Sequence, residues 1–390
     1  MKIYVVSAMF PPIRTGTSHY ALNISYALKS RGNEVGVVAL ENRSDKDPEN
    51  QGRELILCRL AAIRFPFKNF FNHFSVTSLF PWNYFRLYKL CQPSPPDVIF
   101  VVNHYLDIIF PAIVVSRLLH IPLVCSVGTQ LQSANSKRNR LLNYLDRLIC
   151  GQLIFPFCNK VIAWDKEIYR YLSDIHGNRV TLKTEIVNFG VNGDADSLFL
   201  HAHDYRSSVQ ILGVGAVTEQ RNFLPLIYAF NIISAEFPHI KLKIIGHIYY
   251  QGTTELIDSL GLSSKIEMVG EQPHKVVLRE MKDSALYFVS LSGKYLGLGT
   301  ATIEAMLLGL PVVANVPKDL LGTVELRDGK EIMLVDSLEP TVIATAIKKL
   351  LSREDLRKQV GEGAKAFVQT NLNWAKVAKD MEAAILPLIH

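Results

Sequence analysis

The stretch Ser290-Leu-Ser-Gly-Lys-Tyr-Leu-Gly-Leu-Gly-Thr-Ala-Thr-Ile-Glu-Ala-Met-Leu-Leu-Gly-Leu-Pro-Val-Val-Ala314 holds the residues best placed for chemistry. A strand ends near Ser290, a loop carries Gly297 and Gly299, and a helix carries Glu304. Glycines in such a loop let the backbone N–H groups of Gly297, Leu298, Gly299 and Thr300 approach a phosphate, and the positive end of the helix favours negative charge. A carboxylate one turn into that helix can accept hydrogen bonds from ribose hydroxyls. On pattern alone, a tight turn followed by an exposed helix glutamate accounts for the same residues.

The elements that position this segment alternate. In the first half, short β-branched runs at Lys2–Ser7, Glu34–Leu40, Asp97–Val102, Pro122–Val127, Lys160–Ala163 and Glu185–Asn188 predict strands. Helical periodicity falls between them at Ser18–Ser30, Leu106–Leu119, Leu141–Gly151 and Lys166–Leu172. The second half repeats the pattern, with strands expected at Val209–Val214, Ile240–Ile245, Ile266–Val269, Leu286–Val289, Pro311–Ala314 and Ile332–Val335. Apolar strands alternating with helices predict an α/β architecture with a parallel sheet covered on both faces in each half. The expected boundaries are a first domain over 1–191, a polar linker over 192–208, a second domain over 209–372 and a final helix within 373–390. Ligands of doubly wound sheets sit at strand C-termini, so a cleft between the domains is the expected site.

Composition narrows the class. The 390 residues are 48% hydrophobic, enough for two cores and too apolar for wholesale disorder. No apolar run approaches the ~20 residues of a membrane span, and the start fits a first strand better than a secretory signal. The five cysteines Cys58, Cys91, Cys125, Cys150 and Cys158 form no C-x-x-C pair, which predicts buried reduced thiols and no structural zinc. Residues 1–190 carry a net +9 and the remainder −3, so the first half faces something anionic. Phe65–Tyr88 holds ten aromatics, and Leu55–Pro96 has no acidic residue while Arg59, Arg64, Lys68, Arg86 and Lys89 are basic. Lys137, Arg138 and Arg140 open a second basic cluster. Aromatics interleaved with cations suit a membrane interface; two ordinary helices with aromatics on the core explain them equally well. No nucleic-acid-binding motif occurs. Phe10-Pro11-Pro12 interrupts the turn where a dinucleotide-binding Gly-x-Gly-x-x-Gly would follow the first strand.

Gly297, Gly299, Glu304-Ala305-Met306, Gly309 and Pro311-Val312-Val313-Ala314 together resemble the signature E-G-F-G-L-x-x-x-E-A-M-A-x-G-x-P-V-V-A of the retaining glycosyltransferases called group 1, or family 4. Pro11-Pro12 with Gly16, Asn188-x-Gly190-Val191, strands ending at Gly246 and Gly270, and Trp374 match further family features in order. The resemblance implies a GT-B fold: two facing Rossmann-like domains, the nucleotide sugar held mainly by the second, and a last helix crossing back to the first. It implies transfer of a sugar from a nucleotide-sugar donor with retention and without a metal or other cofactor. UDP-sugar, with UDP-glucose first, is the expected donor by family frequency. The expected acceptor is a glycan or lipid-linked molecule, and the expected setting is cytoplasmic, with peripheral contact at the inner face of a membrane. Asp194-x-Asp196 is then a solvated linker rather than a metal motif.

The family pattern also places roles and departures. Arg221 falls at the position of its diphosphate-binding Lys and keeps the charge, while Ala216 replaces its Arg. Leu296 replaces a Glu that contacts donor-sugar hydroxyls, and Gly128 replaces a His. Arg14 and Lys294 are candidate compensating cations, and His104 is a candidate catalytic imidazole for the cleft. Gly16 admits backbone to phosphate, and His274 is a candidate base contact. These substitutions leave two further readings open: a nucleotide-binding, non-catalytic assembly subunit, and a sugar-nucleotide epimerase.

Overall fold

The structure is a computed structural model that describes residues 1–13, 15–41, 52–64, 75–105, 107–131, 136–191, 203–205, 208–218, 221, 223–289, 291 and 294–389. Arg14, the aromatic stretch 65–74 and the linker residues Asp194 and Asp196 lie outside them. The chain divides into two compact units: residues 1–133, 137–190 and 374–390 form the first, and 191–373 with 134–136 the second.

The first unit runs β1 (Lys2–Ser7), α1 (Gly16–Ser30), β2 (Glu34–Leu40), β3 (Ile56–Leu60), β4 (Ile63–Arg64), β5 (Ser75–Val76), α2 (Pro81–Cys91), β6 (Val98–Val102), α3 (Ile109–Leu119), β7 (Leu123–Val127), α4 (Ser136–Ile149), β8 (Lys160–Ala163), α5 (Lys166–His176), α6 (Asn178–Thr181) and β9 (Thr184–Ile186). Seven strands form one sheet in the order β3-β2-β1-β6-β7-β8-β9, all parallel. β6 and β7 are buried at every position, as strands covered on both faces must be. Cys58 is half-buried, the other four cysteines are buried, and all five are free.

The second unit continues with β10 (Gln210–Val214), α7 (Leu224–Glu236), β11 (Lys241–Ile245), α8 (Gly252–Ser259), β12 (Ile266–Met268), α9 (His274–Lys282), β13 (Leu286–Val289), α10 (Thr300–Leu307), β14 (Val312–Ala314), β15 (Met333–Leu334), α11 (Pro340–Ser352) and α12 (Glu354–Asn371). Its six strands are ordered β12-β11-β10-β13-β14-β15 and are again parallel. Phe230, Phe288 and the aliphatic side chains of α7, β10, β11 and α11 make its core. Each such side chain, once fully buried, contributes about 1.5–3 kcal/mol.

The last helix, α13 (Trp374–Ile385), belongs to the first unit and packs on α1. Trp374, Val377, Ala378, Met381 and Ile385 form its buried stripe at helical spacing. Arg31 Nε donates to Glu382 Oε2 at 2.6 Å, and Asn33 Nδ2 donates to Oε1 of the same carboxylate. Among the described residues, no helix is long and apolar enough to cross a membrane.

Candidate active site

In the second sheet the strand order reverses between β10 and β13, the switch point where loops leave in opposite directions and open a crevice. The loop after β10 carries Arg221, and the loop after β13 leads to Gly299 and α10. Gly215 at φ +147° starts the first loop, a conformation that glycine adopts without strain. Thr218 Oγ1 accepts from Arg221 N–H at 3.0 Å and turns the chain back. The Arg221 guanidinium then lies over two glycines. A methyl on Gly215 would stand 3.0 Å from Nη1, and one on Gly299 would stand 3.3 Å from Nη2. Among the described residues the guanidinium makes no hydrogen bond or ion pair, and a guanidinium carries five donors suited to a phosphate.

Gly299, at φ +74°, is the N-cap of α10 and supplies no side-chain cap. Ile303 N–H bonds to Gly299 O at 3.3 Å, and the N–H groups of Thr300, Ala301 and Thr302 precede this first turn of the helix. Thr302 Oγ1 donates to Leu298 O at 2.6 Å and fixes the loop to the helix. Arg221, Phe223, Tyr287, Leu298 and residues 299–302 line one small cleft. A cation and a helix N-terminus on one cleft make an anion site suited to phosphate.

Glu304 lies one turn into α10 and is buried. Its Oε1 accepts from His274 Nε2–H at 2.9 Å, and the His274 side chain is 61% exposed. Burial pushes the Tyr287 phenol up to about 12; the Arg221 charge opposes this shift and the Glu304 charge adds to it. Both charges reach one phenol, so Arg221 and Glu304 share a neighbourhood. Tyr287 itself donates to Val214 O at 3.1 Å, tying β13 to β10 beneath the site. The sequence did not single out Tyr287, Phe223 or Thr218. A Thr three residues before Arg221 was the one local signal, a side chain able to close a turn.

The structure thus brings Arg221, Leu298, Gly299, Thr300, Glu304 and His274 together in the second unit. Leu296 and Gly297 are half-buried on the loop before Leu298, and Lys294 is exposed in the turn preceding them. Gly16 is the exposed first residue of α1 in the other unit, where Thr15 Oγ1 accepts from Ser18 N–H at 3.1 Å.

His104, the candidate catalytic imidazole, lies inside the first unit. Its ring is 0% exposed inside the first unit, stacked on Phe155 at 5.4 Å, with Nε2 at 3.2 Å from Tyr171 Oη and 3.6 Å from Asp146 Oδ1. Burial pushes its pKa down against the pull of Asp146. An imidazole enclosed in this way is shielded from a substrate in solution.

Residues 205–367 match the family profile described as "Glycosyl transferases group 1", and residues 14–192 match "Glycosyltransferase Family 4". A glycosyltransferase of Methanocaldococcus jannaschii, MJ1069, described as uncharacterized, is 23% identical over 344 residues, 84% of each chain. The capsular polysaccharide biosynthesis glycosyltransferase CapM of Staphylococcus aureus is 23% identical over 175 residues, 44% of each chain. The crystal structure of Anabaena Alr3699/HepE in complex with UDP superposes with a TM-score of 0.71 at 14% identity, covering 99% of this chain and 100% of that one. With two parallel sheets of doubly wound order and a glycosyltransferase profile on each half, the chain belongs to the family 4 glycosyltransferases of the GT-B fold.

Proposed function

We propose that this glycosyltransferase moves a hexose from a UDP-sugar, UDP-glucose first, to a glycan or lipid-linked acceptor, with retention at the anomeric carbon. The observation that carries the reading is the Arg221 guanidinium against Gly299 at the open end of α10. As the bond from the anomeric carbon to the diphosphate breaks, negative charge grows on the departing oxygen. In this reading Arg221 and the first N–H groups of α10 meet that charge. Glu304, one helical turn away, accepts from the ribose hydroxyls, and His274 orients its carboxylate. In this reading neutralisation of the diphosphate falls to the guanidinium and the helix amides and requires no resident metal or cofactor. CapM, named for capsular polysaccharide biosynthesis, and the UDP complex of HepE support the donor and the setting. Trp82 and Phe85 of α2 are 55% and 58% exposed, with Lys89 Nζ 4.6 Å from the Phe85 ring centre, which supports a peripheral contact with the cytoplasmic face of a membrane.

The test is nucleotide release from a panel of UDP-, GDP-, ADP- and dTDP-sugars, with and without glycan and lipid-linked acceptors. The expected result is UDP release, reduced about 100–1,000-fold by Arg221→Ala, and a product with the donor's anomeric configuration. No turnover and no nucleotide binding with any donor would overturn the reading. Leu296 and Ala216, which lack the polar groups usual at their positions, favour a second reading, a nucleotide-binding subunit without catalysis. UDP binding without turnover supports that one, and conversion of the donor sugar without acceptor supports an epimerase.

A further inference from the structure

In the first unit, four segments deliver polar side chains into one buried volume. His104 follows β6, Asp146 lies on α4, Cys150 opens the π-helical turn Cys150–Ile154 that continues α4, and His176 ends α5. His104, Asp146 and Cys150 are 0%, 1% and 2% exposed, and the His176 side chain is 0% exposed. One ligand atom each from His104, Asp146 and Cys150 lie within 4.8 Å of one another, and His176 Nε2 is 3.4 Å from Asp146 Oδ2. Tyr171 Oη donates to Asp146 Oδ2. Even so, Asp146 Oδ1, 3.6 Å from His104 Nε2, is buried without a hydrogen bond among the described residues. A buried carboxylate oxygen left without a partner is costly, and one set among two imidazoles and a thiol points to a cation that would satisfy it.

We propose that His104, Asp146 and Cys150, with His176 as the fourth group, form a buried structural site for a zinc-like divalent transition metal. An N/O/S donor set of this kind suits zinc. Tetrahedral zinc holds its ligand atoms about 3.3–3.8 Å apart, so closing the present cluster requires side-chain movements of about 1 Å. Charge balances: the cation is offset by the Asp146 carboxylate and the Cys150 thiolate, while the imidazoles stay neutral. Binding displaces one proton, from the Cys150 thiol, to solvent. Asp146 and Cys150 are four residues apart at the end of α4, and the π turn that begins at Cys150 is a distortion of the kind concentrated at functional sites. The site is in the first unit and is independent of the diphosphate-binding residues of the second.

The full chain, produced in zinc-depleted, cobalt-supplemented medium, gives the readout. We expect about one cobalt per chain and a thiolate-to-cobalt charge-transfer band in the near ultraviolet. Cys150→Ser abolishes the band, and Cys91→Ser, which removes a buried thiol elsewhere, preserves it. His104→Gln lowers metal retention on dialysis at least about tenfold. If either site variant fails to fold, the wild-type metal content and spectrum decide. Metal-free wild-type protein that remains folded, or a band that survives Cys150→Ser, overturns the proposal.

Discussion

At Gly128 the family's usual histidine is absent, and Trp164 supplies the reason. A Cβ at Gly128 would fall inside the ring carbons Cζ3, Cε3 and Cη2 of Trp164. That indole has no room to retreat: it stacks on Tyr20 at 4.3 Å and packs against Phe189 at 5.3 Å. Gly128→Ala should therefore lower stability by about 1–3 kcal/mol, the usual cost of overpacking. A reduced urea midpoint of the full chain checks this, and an unchanged midpoint refutes it. At this scale the sequence was legible only where the partners are local. Gly299, Thr300 and Glu304 sit within one strand–loop–helix unit, so their spacing alone points to a candidate site. Glu304 meets His274 from 30 residues away, and the surroundings of His104 come from α4 and α5, so neither arrangement leaves a mark on neighbouring residues.

Among the elements, strands were the most legible, because continuous apolar runs need no partner to be recognised. Helix starts were less so. α10 begins at Thr300 behind Gly299, α9 behind Pro273 and α8 behind Gln251, none with a side-chain cap, so each begins two residues before the Thr302, Val276 and Thr254 at which the helical periodicity sets in. β3 and α2 have no counterpart among the elements expected from the sequence, since the aromatics around α2 blur its periodicity. The structure orients that helix: Asn83, Leu87 and Cys91 are buried, while Trp82 and Phe85 face out. α4 exposes Leu141 and Tyr144, at 61% and 64%, beside Arg140 and Arg147. We expect the full chain to sediment with anionic liposomes at low salt. Trp82→Ser combined with Phe85→Ser should weaken binding more than about tenfold, since each ring is worth roughly 1.5–3 kcal/mol when buried. No binding of the wild type to such vesicles would remove the interface.

For the whole molecule, acid is the informative stress. Burial pushes the His203 imidazole down from 6.5 to about 4. The unfolded chain takes up this proton near pH 6.5, whereas the folded chain resists until about pH 4. The second unit thus keeps its full stability above about pH 6.5 and loses up to about 3 kcal/mol as the pH falls across that window. His104, also held below its ordinary value by burial, acts in the same direction in the first unit. Asp165, pushed up to about 6 by burial, acts oppositely, because acid relieves its buried charge. Urea midpoints measured at several pH values should fall with acid, and His203→Gln should flatten that slope; parallel slopes for the two proteins would rule His203 out as the source.

Val191 N–H bonds to Leu372 O at 2.9 Å, and Val191 bridges to Asn373, so the two passages of the chain between the units run side by side. In covalent terms the second unit is an insert, threaded into the first between Gly190 and Trp374. On the ribosome, residues 191–373 emerge in full before the helix that covers α1 has been made. The inserted unit can reach its native state first, while the residues before it wait with an apolar flank uncovered until Trp374 and the turns after it arrive to close it.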